Sequence, residues 1–164
     1  MSEPGDDRSR VSDGPDAGPL RIDPAAAGEI NRHGAETYPH ECCGALLGRG
    51  ASVDAVLPLP NTTDEGPRRR FLVRPQDYRA AEAGASARGL ELLGFYHSHP
   101  DHPARPSDYD LAHAWPTFAY VIVSVVAGVP GDVTCWRLRE DRSTFDEVPL
   151  AIGGERRNLE GVSP

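Results

Sequence analysis

The chain has 164 residues, with 17 Lys and Arg against 25 Asp and Glu and a formal net charge of -8; that length is one domain's worth and suffices to bury a sizeable core. The acidic balance argues against nucleic acid or an anionic membrane surface as the main partner, because both demand a basic footprint. No apolar run approaches the eighteen or so residues of a membrane span, and the N-terminus is acidic and rich in Gly and Pro rather than basic then apolar, so a cytoplasmic location is expected.

Residues 1–18 are Asp, Gly, Pro and Ser with almost no apolar content, which cannot offset ordering entropy, and read as a disordered tail. A single domain is expected over 19–152. It opens with a short strand at Leu20-Arg21-Ile22 and a helix from Pro24 to about Glu36, with proline in the first turn. Cys43 to Leu47 and Val53 to Leu59 form a hairpin around a glycine-containing turn. The polar loop from Pro60 to Arg70 carries the one cationic run, Arg68-Arg69-Arg70, read as solvated. A short strand at Phe71 to Val73 precedes an alanine-rich helix from Gln76 to Arg88, weakened by Gly84 and ended near Gly89. Leu90 to His97 is the next strand, Ser107 to Ala114 a helix, and Ala119 to Val126, Val133 to Leu138 and Thr144 to Pro149 are β-prone segments. From about Gly153 to residue 164 the chain is polar and is expected to fray. Strands interleaved with a few helices indicate an α/β or α+β sheet covered by helices.

Chemistry concentrates at His97-Ser98-His99-Pro100 and at Ser107 and Asp110. Residues two apart on a strand share a face, so both imidazoles can reach one ion, and Asp110 falls on the first turn of the following helix. Two histidines and a carboxylate suit Zn2+ and leave a fourth position for water, as in catalytic rather than structural sites. Blander readings stand beside this one. A His-x-His pair is often polar surface, Ser107-x-x-Asp110 is also a helix capping box, and Glu41, just before an apolar strand, is also the usual solvated flank. Three cysteines, Cys42, Cys43 and Cys135, make no exported disulfide framework and are expected to be reduced. Adjacent on a strand, Cys42 and Cys43 point to opposite faces, one toward the core and one toward a cleft. A Cys-His protease is conceivable from these residue types but gains nothing from the His-x-His-Pro context.

The order Glu41, then His97-x-His99-Pro100, then Ser107-x-x-Asp110 resembles the JAMM motif of the MPN-domain metallopeptidases. The likeness extends to Pro39 through Gly48, similar to the family's glutamate-bearing strand, and to Asn61 through Pro75, similar to its asparagine-to-proline stretch; it spans most of residues 20 to 150. The resemblance implies an α+β fold of the MPN, cytidine-deaminase-like type, a curved, mixed but mostly antiparallel sheet flanked by helices. It implies His97, His99 and Asp110 as ligands of one zinc per chain with water in the fourth place, Glu41 as general base, and Ser107 as a donor to the developing oxyanion.

The same resemblance implies hydrolysis of a peptide or isopeptide bond after the C-terminal diglycine of a ubiquitin-like protein. The compact chain and its Tyr38-Pro39-x-Glu41-Cys42-Cys43-Gly44 stretch look like the bacterial peptidases that release cysteine, or another small adduct, from a β-grasp sulfur-carrier protein, a role in cysteine biosynthesis. The expected partner is therefore a β-grasp carrier ending in Gly-Gly. Two readings from other classes remain: a metal-dependent phosphoesterase, which needs further His and Asp ligands for a multinuclear site, and a non-catalytic MPN scaffold, which lacks some of the ligands.

Overall fold

The computed structural model describes residues 18–61 and 73–153. In chain order they form β1 (Leu20–Ile22), α1 (Pro24–Thr37), β2 (Cys43–Arg49), β3 (Ser52–Leu59), α2 (Pro75–Ala87), β4 (Glu91–Pro100), α3 (Asp108–His113), β5 (Ala119–Val126), β6 (Val129–Leu138), β7 (Phe145–Val148) and β8 (Leu150–Ile152). Local chemistry accounts for the helix limits. Asp23 accepts the Ala25 N–H at 3.0 Å ahead of Pro24, which needs no N–H partner in a first turn. Asp77 accepts the Arg74 N–H at the start of α2, and Gly89, with φ +66°, lets the chain leave it.

All eight strands lie in one sheet, ordered β7-β6-β5-β4-β2-β3-β1-β8. The β4–β5, β1–β3 and β1–β8 pairs are parallel and the others antiparallel. Only Pro149 lies between β7 and β8, so the two ends of that order are neighbours in space and the sheet curls round on itself. The Leu20 N–H fixes the junction by donating to the Pro149 carbonyl at 2.9 Å.

Side-chain alternation splits the molecule into two cores. Ala26, Ala27 and Ile30 of α1 pack with Leu46, Tyr96, Val121 and Val123 on one face. Ala81 and Ala85 of α2 pack with Ala45, Leu47, Phe95 and Tyr120 on the other. In the middle, β4 and β5 are buried along nearly their whole length, as parallel neighbours covered on both faces must be.

The sheet is mixed and mostly antiparallel, as the resemblance implied, and most elements lie where the sequence places them. The exceptions have physical reasons. The sixth strand begins at Val129, not Val133, although Pro130 and Gly131 read as a turn. Pairing runs on to Val126 and Val129 because a register shift between Val123 and Val125 absorbs the proline, and Ala127 and Gly128, both at positive φ, close a two-residue turn. The segment expected at Thr144 to Pro149 breaks at the proline and continues as β8, three residues held by parallel pairing to β1 and too short for any periodicity to reveal. Val73 is not in a strand; Phe71 and the Arg68-Arg69-Arg70 run lie outside the described residues, as do the expected tails apart from Gly18 and Gly153. No helix among the described residues is long and apolar enough to cross a membrane.

Gly94 of β4 is a test of this packing, because a Cβ there would lie 1.8 Å from the Ala119 carbonyl oxygen. Backbone cannot swing aside as a side chain can. Gly94→Ala is expected to part the two central strands and to lower unfolding free energy by about 2 kcal/mol or more. Urea titration checks this, and a midpoint equal to wild type would contradict the close approach.

Candidate metal centre

On β4 the alternation that sends Tyr96 and Ser98 toward α1 sends His97 and His99 to the opposite face. Both histidines are buried, at 1% and 8% exposure, which is unusual for polar side chains on a central strand and calls for a partner. The strand β2 pairs with β4 through Cys43 and His97, and the contact continues beyond it: Ser98 donates its N–H to the Cys42 carbonyl at 3.2 Å, and its Oγ accepts the Cys42 N–H at 2.9 Å. That extension carries the chain on to Glu41, itself buried, whose carboxylate comes within 4.8 Å of the ring nitrogens of His97 and His99. Asn61 holds the same segment from the other side, its Nδ2 donating to the Glu41 carbonyl at 3.1 Å.

Asp110 arrives from α3. Ser107 is its N-cap: the Ser107 Oγ accepts the Asp110 N–H at 3.1 Å, and Asp110 Oδ2 accepts the Ser107 N–H at 2.8 Å. The capping box thus aims the carboxylate, and the same Oδ2 lies 3.3 Å from both His97 Nε2 and His99 Nε2, which are 3.1 Å from each other. The two readings of Ser107-x-x-Asp110 describe one arrangement.

Three donor atoms therefore close a triangle with sides of 3.1 to 3.3 Å. His99 Nδ1 lies 2.8 Å from the Pro103 carbonyl, an acceptor only, so that nitrogen carries the proton and Nε2 presents a lone pair. Asp110 contributes another acceptor, and one proton on His97 Nε2 could not satisfy both neighbours. A cation at the centre satisfies all three. Tetrahedral zinc with ligands at about 2.0–2.1 Å holds them about 3.3 Å apart, so the donor set and its spacing fit that ion.

The loop that links β4 to α3 is tied down along its length. Ser124 donates to the His102 carbonyl and Thr134 to the Ala104 carbonyl, each at 2.6 Å, so β5 and β6 fix the turn that carries Pro103. Apolar side chains, including Phe95, Trp115, Tyr120, Ile122 and Phe145, line a small cavity behind His97 and Asp110. On the other side an open groove runs past Glu41, bordered by Thr37, Tyr38, His40, Leu59 and Asn61. The sequence indicates the four converging side chains and Ser107; it does not indicate Pro103, Ser124 or Thr134, whose roles depend on contacts between distant strands. The cysteines are all reduced and buried. Cys42 and Cys43 occupy opposite cores, Cys42 also bordering the groove, and burial pushes their thiols up to about 11 and about 12. Neither is a thiolate nucleophile at neutral pH.

Residues 23–139 match the family described as prokaryotic homologs of the JAB domain. The chain belongs to this family. It is 36% identical over 83 residues to the tail tip assembly protein K of Escherichia phage N15, covering 51% of this chain and 31% of that one. It is 37% identical over 94 residues to a Thermus thermophilus protein named "Probable TtuB-protein conjugate cleaving protease", covering 57% and 62%, and 35% identical over 89 residues to the desampylase of Haloferax volcanii, covering 52% and 63%. The matches thus span less than two-thirds of each curated relative's length. Among solved structures, a solution structure of a Desulfitobacterium hafniense protein superposes with a TM-score of 0.71 at 30% identity, over 82% of this chain and 93% of that one. A JAB1/MPN domain protein from Archaeoglobus fulgidus superposes with a TM-score of 0.56 at 20% identity, over 82% and 98%, and shares the fold. The JAMM/MPN resemblance read from the motif is thereby established.

Electrostatics of the site predict a pH dependence for the metal-free protein. Burial pushes the His97 imidazole below its ordinary 6.5, against the pull of Asp110, so the unfolded chain takes up a proton that the folded chain refuses. Burial works to raise the Asp110 carboxyl, but at the acid pH where it titrates the charge taken up by His97, with the Ser107 N–H, outweighs burial and holds the group well below its ordinary 3.8. Both contributions have the same sign. Stability in chelator should fall as pH drops below 6.5, and fall again below 3.8 as Asp110's contribution is lost. Denaturant midpoints between pH 8 and pH 3 measure it; a wild-type profile flat from pH 7 to 5, or one that His97→Gln leaves equally steep there, would be inconsistent with a buried neutral His97.

Proposed function

We propose that the protein is a zinc-dependent peptidase that hydrolyses the peptide or isopeptide bond after the C-terminal diglycine of a ubiquitin-like carrier protein, releasing cysteine or another small adduct. The observation that carries this reading is the convergence of His97, His99 and Asp110 to within 3.3 Å of one another, with Glu41 beside the histidines. His97, His99 and Asp110 would hold one zinc, which when bound supplies a Lewis acid that polarises a carbonyl and acidifies water. Glu41 accepts the proton of the attacking water as its oxygen bonds to the scissile carbonyl carbon. The Ser107 oxygen takes the Asp110 N–H, which leaves its own O–H to donate to the developing oxyanion. As the C–N bond breaks, Glu41 returns the proton to the departing amine, so the carboxylate is regenerated.

The substrate class draws support from the relatives' names, a conjugate-cleaving protease and a desampylase. A diglycine tail has no side chains and can lie in extended form along the open groove beside Glu41. The scaffold reading lacks the feature it needs, since all four side chains are present and converge. A phosphoesterase would need further ligands, and among the described residues the ligand-type side chains gather at one place, His97 and His99 with Glu41 and Asp110 around them.

His99→Ala should abolish stoichiometric zinc binding while the domain stays folded, because a zinc assigned to catalysis is not what holds the core together. Metal analysis and circular dichroism read the two properties separately; unfolding on loss of zinc would make the site structural. Glu41→Gln preserves size but cannot take a proton, so zinc should remain while turnover drops by roughly two to four orders of magnitude. The assay is mass spectrometry of a carrier ending in Gly-Gly plus one residue, before and after incubation. Cleavage of unrelated unfolded peptides at the same rate would indicate a general peptidase, and near-normal turnover by Glu41→Gln would remove the general base from the mechanism.

A further inference from the structure

Directly after the His97-Ser98-His99-Pro100 run, Asp101 adopts φ +56°, a left-handed conformation that residues with a Cβ rarely take. The fold keeps it there by bonding it on three sides. Its N–H donates to the Val125 carbonyl at 2.8 Å, its Oδ1 accepts the Ala127 N–H at 2.9 Å, and its Oδ2 accepts the Tyr38 hydroxyl at 2.7 Å. The first two bonds fasten the ligand loop to the tip of the β5–β6 hairpin. The third reaches a different part of the chain: Tyr38 is the C-cap residue of α1, and Glu41 follows three residues later.

We propose that Asp101 and Tyr38 form a positioning pair that sets the Glu41 carboxylate against the metal-ligand loop; the inference rests on the peptidase reading for its kinetic consequence. The juxtaposition carries it. His99 stands two residues before Asp101, and Glu41 three after Tyr38, so one hydroxyl–carboxylate bond spans the two segments that must be in register for Glu41 to take a proton from water at the metal. The other side of the Glu41 segment is already held by Asn61 and by the Cys42–Ser98 contact. At the end that leaves α1, His40 is tied back to the helix by its N–H to the Thr37 carbonyl at 2.8 Å, and the Tyr38 hydroxyl adds the link from that end to the ligand loop. Asp101 is placed on neither substrate nor metal, while Tyr38 also borders the groove beside Glu41.

The conformation of Asp101 makes the proposal separable from general stability. Glycine adopts φ +56° without strain, so Asp101→Gly deletes the carboxylate while relieving the backbone, and its melting temperature should stay near that of wild type. Asp101→Asn keeps one oxygen acceptor and Tyr38→Phe removes only the hydroxyl. In the zinc-loaded full chain, we expect zinc affinity to change by less than about threefold in all three variants and KM by less than about threefold in the two Asp101 variants, while kcat falls about tenfold or more in Asp101→Gly and Tyr38→Phe and is partly restored in Asp101→Asn, since small misplacements of a reacting group are costly. Amide hydrogen exchange should accelerate across residues 38–42 in Asp101→Gly and Tyr38→Phe. That readout is independent of turnover. If wild type cleaves no diglycine-tailed carrier, the peptidase reading fails and exchange alone judges the pair. Unchanged exchange at 38–42, or kcat equal to wild type, overturns the proposal. So does loss of zinc affinity in step with kcat, which would make Asp101 a support of the ligand loop only.

Discussion

Three electron-rich atoms held 3.1 to 3.3 Å apart in a buried site form the constraint to which the surrounding structure responds. Left to themselves, His97 Nε2, His99 Nε2 and Asp110 Oδ2 would separate or recruit protons, because lone pairs facing one another out of water are unfavourable. Each is prevented from turning away. Pro103 fixes the His99 ring through its far nitrogen, the Ser107 N–H fixes the Asp110 oxygen, and apolar side chains close the space behind His97. Such second contacts set tautomer and orientation and are as much part of a metal centre as its ligands. The arrangement makes physical sense with a cation at its centre, and the geometry is set by the protein in advance.

Topology explains why this chain can bring those atoms together. Parallel strands β4 and β5 cannot be joined by a tight turn, and the connection from Pro100 to Ala119 is long enough to hold both a structured loop and α3. A helix of six residues has little stability of its own. Its capping box compensates at one end, and the hydroxyls of Ser124 and Thr134 hold the loop that feeds it. The crossover demanded by a parallel pair thus becomes the carrier of Asp110.

Legibility in the sequence followed the range of the interactions. His97 and His99 were readable because a period of two on a strand needs no knowledge of the rest of the fold. Ser107 and Asp110 were readable because a capping box is closed within four residues. Glu41 was ambiguous from residue type and gained its meaning from the resemblance; the structure supplies the cause, the pairing of β2 with β4 carried beyond Cys43. β8 left no pattern, since three residues pairing with a strand near the other end of the chain have no periodicity, and the early start of β6 was masked by Pro130, whose breaking tendency a register shift absorbs. The partners of the Tyr38, Ser124 and Thr134 hydroxyls were unreadable for the same reason: hydroxyls bond wherever the fold brings an acceptor, and no spacing announces it.

Alternation along β4 separates stability from chemistry within a few residues. Tyr96 and Ser98 face α1, where the Tyr96 hydroxyl lies 2.8 Å from His33 Nδ1 and its ring fills the space a side chain at Gly44 would occupy. His97 and His99, one residue out of phase, face the ligand site. A one-residue slip of β4 against β2 would exchange the two sets, placing imidazoles in an apolar core and a tyrosine beside Asp110. The close approach of Gly44 to Tyr96 and of Gly94 to Ala119 makes such a slip sterically expensive on both neighbouring strands. Packing that contributes nothing to the chemistry therefore determines which residues reach it.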